Sequence, residues 1–143
     1  MSGQVNFFSE EIDFELANPA NYENWIFDIF KQEDGEIGDI NYIFCNDDYL
    51  LNINQEYLNH DYYTDIISFP LSEKPDPISG DIFISIDMVK ENALQIKVNF
   101  DEEILRVMAH GVLHFLGYKD KKEDEAAMMR KKEDEMISLF HKK

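Results

Sequence analysis

The run His110-Gly-Val-Leu-His114-Phe-Leu-Gly117-Tyr-Lys-Asp120 decides how the rest of the chain is read. Four residues advance about 400° around a helix, so the two histidines share one face. Gly117 suits the helix end, because a left-handed backbone costs glycine least. The chain then turns, and Asp120 comes within reach of both imidazoles. Two imidazole nitrogens and one carboxylate oxygen are the protein ligands of an open catalytic zinc site, whose fourth position is left to water. His110, His114 and Asp120 are therefore the candidate ligands of a single Zn2+ ion.

The residues around the histidines strengthen that reading. With His110 at 0°, His114 falls at about 40°, and Ile104, Met108, Val112, Phe115 and Leu116 span roughly 120–240°. Val107 and Leu113 flank the histidines at about ±60°. Such a helix is apolar nearly all round and is expected to be buried. Two imidazoles on a buried helix need partners, and one metal ion satisfies both. The spacing also matches the ligand and glycine positions of the long metzincin motif, H-E-x-x-H-x-x-G-x-x-H. Gly111 stands where those peptidases carry their general-base Glu, which argues against a small metallopeptidase. Asp120 stands where they have a third His, and a carboxylate leaves a less positive metal centre.

These residues resemble the YbeY family, bacterial rRNA maturation factors described as metal-dependent endoribonucleases, with the motif H-G-x-L-H-x-x-G-Y-D-H. A second family stretch, L-N-x-x-Y-R-x-x-D-x-x-T-D-V-L-S-F-P, is similar to Ile53-Asn54 through Tyr57, Asp61 and Thr64-Asp65-Ile66-Ile67-Ser68-Phe69-Pro70. A third, G-D-I-x-I-S, is similar to Gly80-Asp81-Ile82-Phe83-Ile84-Ser85. The matches keep their order and cover nearly the whole chain. Two positions depart from the pattern. Lys119-Asp120 replaces the family's Asp-His, and Leu58 replaces an Arg associated with RNA cleavage. Leu offers no charge-assisted donor to phosphate. The nearby His60 is a candidate substitute, and Arg106 and Lys119 are further substrate-facing candidates.

The resemblance implies a zinc-dependent endoribonuclease-like protein of 16S rRNA maturation and ribosome quality control. Water activated by the metal serves there as nucleophile or as base, and no catalytic side chain beyond it is identifiable. The implied partner is rRNA or a ribosomal subunit, presented by a ribonucleoprotein, and no DNA is expected. A non-catalytic ribosome-assembly factor with a structural metal is the alternative, favoured by Leu58 and by the acidic composition.

That composition is informative in itself. The net charge is −17, which opposes non-specific nucleic-acid binding. Residues 1–100 carry 4 Lys/Arg against 20 Asp/Glu, whereas residues 101–143 carry 9 against 10. Arg106, Lys119, Lys121 and Lys122 gather around the proposed metal site. The 143 residues fit one domain spanning 1–143, and 11 Phe and 7 Tyr supply a core. No run approaches the roughly 20 apolar residues of a membrane span, and no signal peptide is visible, so the cytoplasm is expected. Cys45 stands alone in an apolar strand and reads as a small buried hydrophobe.

The remaining elements follow from pattern. Val5–Phe8 is a strand. Pro19–Lys31 is a helix with Asn18 as its cap, and Trp25 and Phe30 face the core. Gly35 and Gly38 bracket a turn before the strand Asp39–Cys45. Asn46 caps a helix through Leu50, Leu51 and Tyr57. Ile66–Phe69 is a strand that Pro70 assigns to a sheet edge. A loop from Ser72 to Ser79 precedes the strand Ile82–Ile86, and Asp87 caps a helix to Ile96. Asn99 opens the histidine helix with the acidic turn Asp101-Glu102-Glu103. A last helix, Lys122–Phe140, buries Ala126, Met129, Met136 and Phe140. Four strands and about five helices make a single α+β domain with the metal site on a buried helix. The family resemblance implies one mixed sheet, the histidine helix packed on it, and Thr64–Pro70 as a wall of the cleft. Asp65 and Ser68 are expected to brace that wall.

Overall fold

Alternation of side chains builds the sheet on which everything else rests. Ile40, Tyr42 and Phe44 of β2 (Ile37–Cys45) and Ile78, Ile82 and Ile84 of β4 (Ile78–Ser85) point to one face and are buried. β1 (Gln4–Glu10) pairs parallel with β2, β2 pairs parallel with β4, and β3 (Ile66–Pro70) pairs antiparallel with β4. The order β1-β2-β4-β3 gives one mixed four-stranded sheet, with β3 at an edge as its proline requires. These elements belong to a computed structural model that describes residues 3–142.

Five helices complete the fold: α1 (Pro19–Gln32), α2 (Asp47–Leu58), α3 (Ile86–Ile96), α4 (Phe100–Phe115) and α5 (Glu123–His141). The main core joins the Ile40–Phe44 face of the sheet to residues from α1, α3, α4 and α5. A smaller cluster of Cys45, Leu50 and Ile67 lies under α2, with Phe69 and Phe83 packed against it. Buried polar atoms lock the layers together. Tyr42 donates its hydroxyl to the Met108 carbonyl at 2.8 Å, tying β2 to α4. Trp25 Nε1 donates to the Met136 carbonyl at 2.7 Å, tying α1 to α5. Cys45 is fully buried and its thiol is pushed up to about 12 by burial, as fits a core residue.

Several element ends differ from the pattern reading. Asn18 caps α1 with its backbone only: it adopts a left-handed conformation, and its carbonyl accepts the Asn21 N–H at 3.0 Å. Gly38 lies inside β2, and Ile78 and Ser79 lie inside β4, because Ile37 pairs with Ile78 ahead of an irregularity in the ladder. Ser85, not Asp87, caps α3, since β4 runs straight into the helix and its last residue becomes the cap. Ser85 Oγ accepts the Met88 N–H at 3.2 Å, and Asp87 instead accepts the Asp47 N–H at 3.1 Å. Ala126 is exposed; the buried positions of α5 are Met129, Glu133, Met136 and Ile137. Asn46 and Asn99 cap as expected, accepting from Tyr49 N–H and Glu102 N–H, each at 2.8 Å. Among the described residues no helix is long and apolar enough to cross a membrane.

Candidate metal centre

Helix α4 is buried on nearly every side, and Gly111 shows how closely it sits on the sheet. A Cβ there would stand 2.9 Å from Ile82 Cδ1, which would force Ile82 to shift, and a tight 3.2 Å from Ile66 Cδ1. This contact fixes the rotation of the helix and turns His110 and His114 away from the sheet, toward the cleft. It also means that position 111 points into β4, where no general base could serve the site.

The helix ends as its sequence demands. Gly117 has φ of +108°, its N–H bonds the His114 carbonyl, and the Tyr118 N–H bonds the Leu113 carbonyl, each at 3.0 Å. This paired arrangement is a Schellman ending, which satisfies the last carbonyls and reverses the chain. Asp120 is thereby carried back over the histidines. Its Oδ2 lies 3.2 Å from His110 Nε2 and 3.5 Å from His114 Nε2, and the two Nε2 atoms are 3.0 Å apart. Three acceptor-bearing groups this close repel unless a proton or a cation lies among them. Tetrahedral zinc with bonds of 2.0–2.1 Å needs ligand atoms about 3.3 Å apart, and the three observed separations bracket that value. The donor set and spacing fit one small divalent ion.

A fourth residue, Glu133, completes the arrangement from α5. Its Oε2 is 2.7 Å from His110 Nδ1, so neutral His110 donates its Nδ1–H to Glu133 and turns the Nε2 lone pair into the cleft. Glu133 is only 5 % exposed. Pattern reading missed it, although a signal was present: Glu133 interrupts the apolar series Met129, Met136, Phe140 at a position that helical spacing buries.

The cleft around these groups encloses about 450 Å³ and is lined by Thr64, Asp65, Ile66 and Ser68 on the β3 side, as the expected wall. Asp65 braces this wall: its carbonyl accepts the Ser85 N–H at 2.9 Å and its Oδ2 accepts from Asn92 Nδ2 at 3.1 Å. Ser68 pairs with Ile82 across the ladder and lines the cleft. Arg106 also lines the cleft, but its Nη1 is held by Glu133 at 3.2 Å and Asp134 at 3.0 Å. Arg130, which pattern reading did not single out, stands exposed at the rim, 3.9 Å from Glu133. His60 and Lys119 lie exposed, outside the lining of the cleft. His60 stacks on Tyr62 at 5.1 Å between centroids and bonds its hydroxyl at 3.0 Å. Leu58 ends α2 and is 40 % exposed.

Comparison with known proteins agrees with this arrangement. The family model described as endoribonuclease YbeY matches residues 5–141. The chain belongs to the YbeY family. It is 55 % identical to the endoribonuclease YbeY of Flavobacterium psychrophilum, covering 95 % of this chain and 96 % of the relative. It is 52 % identical to that of Christiangramia forsetii, covering 97 % and 96 %. The solution structure of TM1509 from Thermotoga maritima is similar with a TM-score of 0.66 at 26 % identity, covering 95 % of this chain and 88 % of that one.

Within this YbeY-type cleft the two histidines titrate in opposite senses. Burial presses the His110 pKa down, but the Glu133 hydrogen bond and the charges of Glu133, Asp120 and Asp65 outweigh it, so it ends above the ordinary value. Burial and the neighbouring His110 push His114 below the ordinary value. Burial raises Asp65 as well, against the pull of His110.

Proposed function

We propose that this protein is a metal-dependent endoribonuclease that matures 16S rRNA in the cytoplasm, with zinc held by His110, His114 and Asp120. The observation that carries the reading is the convergence of those three groups, within 3.5 Å of one another, at the floor of an open cleft. When bound, the ion supplies a Lewis acid and an activated water. The chain supplies the rest. Glu133 holds the Nδ1 proton of His110 and fixes that ring. His114 presents its neutral Nε2. Asp120 brings a charge of opposite sign to the ion. The β3 wall keeps the cleft a groove that a single RNA strand can enter, and Arg130 at its rim can meet a phosphate.

The acidic surface favours a substrate delivered on a ribosomal subunit over capture of free RNA, because few cations are available to release counterions. The same surface and Leu58 support the second reading, an assembly factor in which the metal is structural. The two separate in one experiment. Metal-loaded protein and His114→Ala are incubated with precursor 16S rRNA, free and within immature subunits. Cleavage by the wild type alone supports the nuclease. Equal products from both proteins, or none with a stoichiometric metal present, overturn it.

A further inference from the structure

The cleft continues along α4 beyond the metal centre. Glu103 lies seven residues before His110, which returns it to within about 20° of the same helix face and displaces it about 10 Å along the axis. It lines the cleft and is only 5 % exposed, yet Glu103 Oε1 has no hydrogen-bond partner. Its nearest cation, Arg106, is 3.8 Å away through Nε, beyond hydrogen-bonding distance, and gives its Nη1 to Glu133 and Asp134 instead. A buried carboxyl oxygen without a hydrogen-bond donor is costly to hold, and burial raises the pKa of the group. Arg106 and Arg130 act on it as charges that pull its pKa down, but none of the neighbouring groups donates a hydrogen bond to Oε1. Asp65 and Glu133, the other acids of this wall, add like charge.

We propose that Glu103 is the specificity-determining acceptor of this cleft, taking a hydrogen bond from the exocyclic amino group of a nucleobase near the scissile phosphate. The chemistry follows from what the groove can tolerate. A phosphate beside Glu103 is repelled. An apolar group leaves the oxygen unpaired. A cation requires several oxygens together, and among the described residues the grouping of candidate ligand atoms is His110, His114 and Asp120, without Glu103. A neutral N–H donor remains. Adenine N6, cytosine N4 and guanine N2 each provide an amino group, and uracil has none; single-stranded RNA presents these edges freely. At about 3.4 Å per stacked nucleotide, the 10 Å offset places the contacted base within about three nucleotides of the metal centre. Ribose hydroxyls offer the same donor chemistry and are the competing source.

The inference rests on the nuclease reading for its substrate, and it is tested by binding as well as by cleavage. Short RNAs derived from the precursor are made with a 2′-deoxy sugar and a methylphosphonate linkage at the cleaved position, so that neither a 2′-hydroxyl nor an activated water reacts there and they bind without being cut. Each base within three nucleotides is replaced in turn by its amino-free analogue, inosine for guanosine, purine riboside for adenosine or pyrimidin-2-one riboside for cytidine, and each flanking 2′-hydroxyl by hydrogen. The expected result is one position where loss of the amino group weakens wild-type binding at least about 10-fold, a penalty that Glu103→Gln reduces. Equal binding of amino-bearing and amino-free RNAs by the wild type overturns the inference, whether or not Glu103→Gln folds. So does a penalty that appears only on removing 2′-hydroxyls, and so does failure to bind any of the RNAs. Discrimination that persists without metal-dependent cleavage sustains the role of Glu103 and overturns the nuclease instead.

Discussion

Two glutamates on opposite sides of the Gly117 turn are treated very differently by the fold. Behind the turn, Glu33 of the α1 end has both oxygens satisfied: Oε1 accepts from the Tyr118 hydroxyl at 2.5 Å and Oε2 from Lys132 Nζ at 2.9 Å. Lys132 also stands over the Tyr118 ring, 5.6 Å from its centroid. In the cleft, Glu103 Oε1 accepts no hydrogen bond and meets only the charge of Arg106, 3.8 Å away. Burial raises both carboxyls, but for Glu33 the bonds from Tyr118 and Lys132 outweigh it and the pKa falls below the ordinary value, whereas for Glu103 burial prevails and the pKa rises. The first cluster is complete and staples α1 and α5 to the turn that carries Asp120. The second leaves Glu103 Oε1 without a hydrogen bond. Satisfaction of polar atoms separates scaffold from site more sharply here than charge or burial does.

The comparison breaks most decisively at the metal. His110→Ala is expected to abolish binding of one zinc per chain, measured by elemental analysis after dialysis, because a site with three protein ligands does not survive as a chelate of two. Full retention would mean that other groups hold the ion. Asp120 gives the next largest effect. Asp120→Asn replaces a charged oxygen with a neutral one and should weaken zinc strongly in a competitive chelator titration, while Asp120→His should bind. Unchanged affinity in Asp120→Ala would show that Lys119–Asp120 is only a turn. Glu133→Gln, which keeps the shape but removes the charge behind His110, should lower affinity about 10- to 100-fold, the usual effect of losing such a partner.

The scaffold cluster is expected to act on stability instead. Glu33→Gln should cost about 1 kcal/mol in urea unfolding, the value of a charge-assisted bond discounted for partial exposure, and should leave zinc affinity nearly unchanged. The pH dependence carries opposite signs for the two glutamates. With its folded pKa lowered, Glu33 contributes stability that is present above its unfolded pKa and lost as pH falls through the folded value. With its folded pKa raised, Glu103 contributes stability present below the unfolded value and lost as pH rises through the folded one. Urea midpoints between about pH 3 and 7 should therefore lose part of their acid sensitivity in Glu33→Gln and gain some in Glu103→Gln. Matching profiles would remove the distinction. The smallest effect is expected at Leu58→Arg, which adds a planar phosphate donor at the end of α2, outside the lining of the cleft. A slightly steeper salt dependence of rRNA binding is expected, and no change would show that position 58 does not face RNA.

Much of this was legible in the chain. The i, i+4 histidines, the glycine three residues later and the aspartate three beyond it are local, and local spacing determines where their side chains lie once a helix forms and ends. The same holds for the strands with alternating Ile, Tyr and Phe, for the Asn46 and Asn99 caps, and for the edge strand marked by Pro70. Element ends were less legible where neighbours decided them. Gly38, Ile78 and Ser79 look like turn and loop residues until β2 and β4 pair, and Ser85 becomes a cap only because β4 passes directly into α3.

What the sequence by itself determined is the candidate grouping of His110, His114 and Asp120, the shared helix face of the two histidines and the family to which the chain belongs, since each depends on residues within a few positions of one another. What the tertiary structure decided is which charges act together. Glu133 reaches His110 across 23 residues and Glu33 reaches Tyr118 across 85. Arg106, a free cation by composition, is spent on Glu133 and Asp134, while Arg130 stands exposed at the rim. These pairings depend on how α4 and α5 pack together, and Val107 and Met108 of one helix and Met129 and Met136 of the other are buried in the same core. Spacing along a chain carries no record of a distance that only packing creates.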